Sequence, residues 1–329
     1  MERYARIVST AMYKPERLIS NDLMRDWLRH IPGFVDKMEE GTAIRQRWWA
    51  PENWATSDVA LPAAKLAVER AGKKPEDLDL IILGTDSPDY VTPATSVVLQ
   101  HKLGAKNAGT FDVGCACASF PTALTAAAGI IAANPAIKTI LVIGVYMMHK
   151  LSSTADPMMF FYGDGAGAVV LEAGEKPGFV TSAFQADGAY APNWLIPSSG
   201  TAEPVTAETL AAGRTKVMMV ARYPPEINDE GWPRLVRKLA ANGNFDVNAI
   251  DFAIFTQVRK QTVELVMEKL GLPMEKTHTI MEEFGYTGSA CLGMALDDAV
   301  ARNKIKAGNL VVLVGSGVGY NQAACAFRW

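Results

Sequence analysis

Histidine and cysteine are scarce in this chain of 329 residues, four of each, and charged residues make up only 20% of it. The cysteines, Cys115, Cys117, Cys291 and Cys325, are too few for a disulfide scaffold, and with no histidine close by their spacing fits no zinc site. A thiol is therefore left free for chemistry. Net charge is lacking too: 32 basic minus 35 acidic residues gives −3, which removes the electrostatic footing for nucleic acid or an acidic membrane surface as a partner. No apolar run reaches the roughly 18 residues that span a bilayer, and Met1 to Thr10 carries charges where a signal peptide would be apolar. The expectation is a soluble, cytoplasmic protein. Short-period repeats are also missing. What is abundant is core material, 49% apolar residues, and at roughly 150 residues per domain the length implies two domains or one large fold in two halves.

A much longer self-similarity favours halves. Asp79-Leu-Ile-Ile-Leu-Gly-Thr85 leads into an apolar helix ending at Leu103-Gly104, and Asp251-Phe-Ala-Ile-Phe-Thr256 leads into another ending at Leu270-Gly271. Ile140-Leu-Val-Ile-Gly144 is echoed by Val311-Val-Leu-Val-Gly315, so the offsets are 251−79=172, 271−104=167 and 315−144=171. Each copy opens with a helix, Leu61 to Ala71 or Trp232 to Ala241, before a strand of β-branched and aliphatic residues. Alternating strands and helices with continuously apolar strands predict an α/β fold whose mixed sheets are covered on both faces. The turn Ala173-Gly-Glu-Lys-Pro-Gly178 divides the halves, 1–173 and 174–329. Pro192 to Pro225 shows no clear periodicity and reads as a loop-rich excursion, either a substrate cover or a surface insertion.

Thr110-Phe-Asp-Val-Gly114 reads as a strand ending in a glycine turn, with an alanine-rich helix from Ala116 to Ala133 and Cys117 at the junction. A thiol at a helix N-terminus meets unsatisfied N–H groups and the positive end of the dipole, which favour thiolate, and such a turn presents its side chain outward. A buried, inert cysteine is the competing reading, Cys115 is the rival nucleophile, and a redox pair is a third possibility.

Phe111-Asp-Val-Gly-Cys-Ala-Cys-Ala-Ser-Phe120, Tyr162-Gly-Asp-Gly-Ala-Gly-Ala-Val-Val-Leu171 and Gly315-Ser-Gly-Val-Gly-Tyr320 together resemble motifs of the thiolase superfamily, most closely its ketoacyl-ACP synthase III branch. Ile44-Arg-Gln-Arg47 and Ala295-Leu-Asp-Asp-Ala-Val300 extend the resemblance over nearly the whole chain. It implies a thiolase-like fold, two βαβαβ-type halves in five αβαβα layers, working as a homodimer. It also implies that Cys117 is the nucleophile, acylated by an acyl-CoA or acyl carrier protein thioester, with an oxyanion hole made by the backbone N–H groups of Cys117 and Val318. No bound cofactor is implied; the partners are a small-molecule acyl donor and acceptor and, for a carrier-borne donor, the carrier protein.

The sequence departs from that family in its polar machinery. The family's catalytic histidine falls at Thr256, in Phe255-Thr-Gln-Val258, and its asparagine at Tyr286, in Phe284-Gly-Tyr-Thr287. Two nitrogen donors that would stabilise the enolate of a decarboxylating condensation are thus replaced by hydroxyls. A threonine is no base near neutral pH, and a tyrosine is one only if its pKa falls well below about 10. Of the histidines, His30 and His278 read as surface or loop residues, His101 sits late in a helix, and His149, after a buried strand, is the one placed to approach the site, although a satisfied or surface histidine is the commoner role. The stretch matching the family's coenzyme A platform, Lys37-Met-Glu-Glu-Gly41, lacks the aromatic and arginine, while Arg259 and Lys260 are candidates for phosphate or an acidic carrier. Thr92, before Pro93, occupies the position that in the family reaches into the partner subunit's acyl pocket. The expected function is acyl transfer through acyl-Cys117, with Tyr286 and Thr256 placing the acceptor, and not standard fatty-acid elongation. The alternatives are a catalytically degenerate partner subunit, a retro-Claisen enzyme and, third, a hydrolase.

Overall fold

A computed structural model describes residues 3–329. Its first sheet contains β1 (Tyr4–Tyr13), β2 (Leu80–Gly84), β3 (Gly109–Val113), β4 (Thr139–Tyr146) and β5 (Gly165–Gly174), in the spatial order β1-β5-β4-β2-β3. The second contains β6 (Phe179–Ala186), β7 (Phe252–Phe255), β8 (Leu310–Gly317) and β9 (Asn321–Arg328), in the order β7-β8-β9-β6. At the edge of β7 an isolated parallel bridge from Ala253 to Thr277 stands where the first sheet has β3. The two sheets therefore share one strand order.

Register confirms the repeat. Parallel pairing sets Leu80 against Ile140 in the first sheet and Phe252 against Val311 in the second, offsets of 252−80=172 and 311−140=171. The first sheet ends with β5 at Gly174 and the second begins with β6 at Phe179, so Ala173 and Gly174 of the sequence turn belong to β5 and residues 175–178 link the sheets.

Helices α1 (Phe34–Thr42), α2 (Thr56–Arg70), α3 (Thr95–Leu103), α4 (Ser119–Ala133), α5 (Gly231–Gly243), α6 (Lys260–Leu270) and α7 (Cys291–Ala301) complete the main architecture. α2 packs on the outer face of the first sheet with α3 beside it, α5 packs on the second sheet with α6 beside it, and α4 and α7 lie between the sheets. This gives the five αβαβα layers. All eight residues of β4 are buried, as a strand covered on both faces requires. The central position of α4 follows from its small side chains: Ala123, Ala127 and Ala128 are buried and let sheets approach from two sides. The 18-residue stretch Ala116–Ala133 has mean hydropathy 1.6, long and apolar enough by composition to cross a membrane, contrary to the sequence expectation. Its apolarity serves the central layer instead.

The halves meet through glycine. A Cβ on Gly144 of β4 would fall 2.2 Å from the Ser289 carbonyl oxygen, and one on its repeat mate Gly315 of β8 would fall 3.0 Å from the Cys117 carbonyl oxygen. Each strand thus admits the other half's turn at backbone contact. Gly144→Ala should cost about 3 kcal/mol through overpacking against a backbone that cannot rotate away. Urea unfolding of the variant checks this; an unchanged midpoint would count against the close approach. The irregular excursion is sparsely structured, with Trp194–Leu195 pairing Met218–Met219 around a short helix, Ala207–Ala211.

Candidate active site

Two turns meet where the halves join. After β3 the chain passes through Ala116, held at φ +47, and a single 3-10 turn, Ala116–Ala118, before entering α4. The second half repeats this with a 3-10 turn at Gly288–Ala290 before α7. Subtracting 117 from 289 gives 172, so Ser289 is the repeat mate of Cys117, and its hydroxyl lies 3.1 Å from the Ala116 carbonyl oxygen. Cys117 is 4% exposed, facing this junction rather than outward from its turn.

Tyr286 comes to the same point from the other half. Its backbone N–H donates to the Phe161 carbonyl at 2.7 Å, and the Gly163 N–H donates to the Tyr286 carbonyl at 2.9 Å, tying the Tyr286 segment to the stretch before β5. The Tyr286 hydroxyl donates to the Cys117 sulfur. Tyr146, the last residue of β4, lies with ring centroids 6.1 Å from Tyr162 and 6.0 Å from Tyr286, forming an aromatic wall.

Electrostatics here run against the helix-terminus expectation. Burial pushes the Cys117 thiol well above its ordinary value, Asp86 and Cys291 push it further, and the Tyr286 bond and a backbone N–H pull only partly back. Tyr286 is likewise raised, first by burial and then by Cys117. At neutral pH the pair is a thiol and a phenol. Desolvation outweighs the dipole because removing a sulfur anion from water costs more than a helix terminus returns. Cys291 is also enclosed and pushed up to about 12. Cys115 is partly exposed, with its backbone N–H donating to the Ser119 hydroxyl at 2.9 Å.

The other sequence candidates are distributed around this pair. A Cβ on Gly317, the last residue of β8, would lie 2.9 Å from the Cys117 nitrogen, so the end of β8 lies against the backbone of the Cys117 turn. Thr256 is buried and its hydroxyl accepts from the Ser316 N–H at 2.8 Å. The same hydroxyl donates to the Val314 carbonyl at 3.5 Å, so both of its bonds go to β8. Arg259 rests against α1, its guanidinium nitrogen 3.3 Å from where a Gly41 Cβ would stand, and Lys260 pairs with Glu282 at 3.0 Å. Thr92 is exposed on the loop before α3.

None of the four histidines bonds to Cys117 or Tyr286. His278 is buried, not superficial as its sequence context suggests: Nε2 lies 2.6 Å from Asp298 and Nδ1 lies 3.0 Å from the Lys304 amine. His149 is also buried, its Nδ1 2.7 Å from Asp164 and its ring stacked on Trp49 at 4.7 Å. His30 and His101 are exposed.

One carboxylate escaped the sequence reading. Asp86, in the loop after β2, is 3.1 Å from the Ser289 hydroxyl and keeps some solvent exposure. Burial of the carboxyl raises its pKa to about 6 against the pull of Ser289 and a backbone N–H. A cavity of about 580 Å³ lies farther along the second half, walled in part by Asp187, Glu226, Arg234 and Tyr320. Tyr320 connects it to the surroundings of the nucleophile: its hydroxyl is bonded to Ser316, and Cys117 is among the groups that raise its pKa.

Comparison with known proteins places the chain in a family. The 3-oxoacyl-[acyl-carrier-protein] synthase III model matches residues 111–188, and the model of that enzyme's C-terminal part matches residues 239–329. The β-ketoacyl-[acyl-carrier-protein] synthase III of Xanthomonas oryzae pv. oryzae is 32% identical, over 99% of this chain and 98% of its own. The chain belongs to the 3-oxoacyl-ACP synthase III family. Among solved members, the Aquifex aeolicus 3-oxoacyl-ACP synthase III superposes with a TM-score of 0.87 at 25% identity, covering 99% of this chain and 100% of that one. A priming β-ketosynthase of a polyketide biosynthetic pathway reaches a TM-score of 0.90 at 26% identity, covering 99% and 96%. As a synthase III relative the chain is a thiolase-like condensing-enzyme homologue. Its two matched segments hold the two sides of the site: Cys117 lies in the first, Tyr286 and Val318 in the second.

Proposed function

We propose that this chain is an acyltransferase. Cys117 takes an acyl group from a CoA or carrier-protein thioester and passes it to a second substrate. The observation that carries this reading is the contact of the Tyr286 hydroxyl with the Cys117 sulfur at the junction of the halves. A phenol there donates to sulfur or to a developing oxyanion, while the Cys117 and Val318 N–H groups serve the thioester carbonyl. Thr256 holds the end of β8 through Ser316, so it acts on the site by positioning. Neither hydroxyl is the nitrogen donor that decarboxylative elongation uses in the family, which favours transfer to an acceptor that needs no decarboxylation.

Arg259, laid against Gly41 at the place matching the family's nucleotide platform, supplies a contact for phosphate or an acidic carrier, with Lys260 beside it. Intact-protein mass spectrometry after mixing with a panel of acyl-CoA and acyl carrier protein thioesters tests the reading, the expected result being a gain of one acyl group per chain. No adduct from any donor, together with tight binding to a related chain, would replace it with the partner-subunit reading.

Thr92 sets acyl size in the same proposal: a small side chain at the tip of its loop leaves room in the acyl pocket of a second copy. Thr92→Phe should shift preference at least tenfold, about 1.4 kcal/mol, from long to short acyl donors. Unchanged relative acylation rates across the panel would remove Thr92 from the pocket.

A further inference from the structure

The step that discharges Cys117 needs a proton acceptor. Cys117 rests as a thiol and Tyr286 as a phenol, so the closest hydroxyl partner cannot accept a proton, and no histidine bonds to either group. A carboxylate at the junction is a further acceptor. Asp86 comes from the loop after β2 and is linked through Ser289 to the Cys117 turn, because the Ser289 hydroxyl lies 3.1 Å from both Asp86 Oδ1 and the Ala116 carbonyl oxygen. Its charge is felt at Cys117, Cys291, Tyr146 and Tyr162, each of which it pushes toward the neutral form. Asp86 keeps some exposure as a residue but its carboxyl is enclosed, as the Cys117 sulfur is, so base and nucleophile belong to one buried junction.

Resting on the acyltransferase reading, we infer that Asp86 is the general base of the transfer step and that the acceptor is a protic nucleophile, an O–H or N–H group, rather than a carboxylated carbon nucleophile. The acceptor heteroatom attacks the acyl-Cys117 carbonyl. Its bond to the acyl carbon forms as the carbon–sulfur bond breaks, its proton passes to the Asp86 carboxylate, and that proton then moves to the departing Cys117 sulfur, restoring thiol and carboxylate. Nothing is oxidised or reduced, and no further reactant is consumed. A malonyl group would bring a second carboxylate beside Asp86, and the buried groups coupled to Asp86 are thiols and phenols, none of which carries a compensating positive charge.

A base with a pKa near 6 is deprotonated and effective above that value, so the transfer rate should rise with pH and level off above about 6. The test follows discharge of pre-acylated enzyme by water, ethanol and malonyl-CoA in separate reactions, from pH 5 to pH 8, a range in which the alcohol does not titrate. Wild type should discharge faster to ethanol than to malonyl-CoA. Asp86→Asn, followed from its acylated form, should discharge to water and ethanol about 10²-fold more slowly, with the inflection gone. Ser289→Ala removes a hydrogen bond that lowers the Asp86 pKa, so it should move the inflection upward, a shift that a merely structural serine would not produce. Wild-type discharge and an intact inflection in Asp86→Asn would overturn the inference, as would faster discharge to malonyl-CoA with release of carbon dioxide. Failure of wild type to acylate would instead overturn the acyltransferase reading, and this inference with it.

Discussion

Cys117→Ala should form no covalent adduct with any acyl thioester, while Cys115→Ala should acquire one acyl group per chain, as expected of wild type. The two residues are two apart in sequence but differ in surroundings. Cys117 receives the Tyr286 hydroxyl and its nitrogen lies against Gly317 at the end of β8, whereas Cys115 is partly exposed and contributes its backbone to the turn. Removal of the sulfur also leaves the buried Tyr286 hydroxyl without its partner, a loss of about 1–3 kcal/mol. Thermal unfolding should therefore show Cys117→Ala moderately destabilised but folded, which separates lost chemistry from lost structure. An adduct that persists in Cys117→Ala and disappears in Cys115→Ala would reverse the assignment.

The repeat could be read from sequence because its signal is carried by buried apolar strands, and burial on both faces leaves those strands little freedom to vary in character. Offsets near 172 reappear as strand register and again as the pairing of Cys117 with Ser289. Chemistry at the junction was less visible. Asp86 sits in Asp86-Ser-Pro-Asp89, which reads as ordinary turn punctuation, and its environment is set by Ser289, 203 residues away. A signal did exist in hindsight, since the repeat offset that relates the two turns brings Ser289 to the Cys117 side. The thiolate expectation failed for a related reason: position at a helix start is local, while burial of the sulfur is created by the opposite half. His278 shows the same effect, a loop histidine in sequence that is enclosed by Asp298 and Lys304.

Tyr286→Phe should lower the rate of Cys117 acylation by about 10²-fold, the scale of removing one oxyanion-type donor. The ring is kept, so its packing against Tyr146 and the backbone ties to Phe161 and Gly163 persist. Only the hydroxyl is lost. That hydroxyl lowers the Cys117 pKa by donating to sulfur, so its removal should move the pH profile of iodoacetamide alkylation upward as well as slowing acylation. Because burial raises the Tyr286 pKa itself, wild type should keep the donated bond across neutral pH and up to at least about pH 10, the ordinary tyrosine value. The wild-type to Phe ratio of acylation rates should accordingly be flat between pH 6 and pH 9. A ratio that grows with pH would mean Tyr286 works as a phenolate base, and a ratio of one would mean that the hydroxyl does nothing for the sulfur it faces.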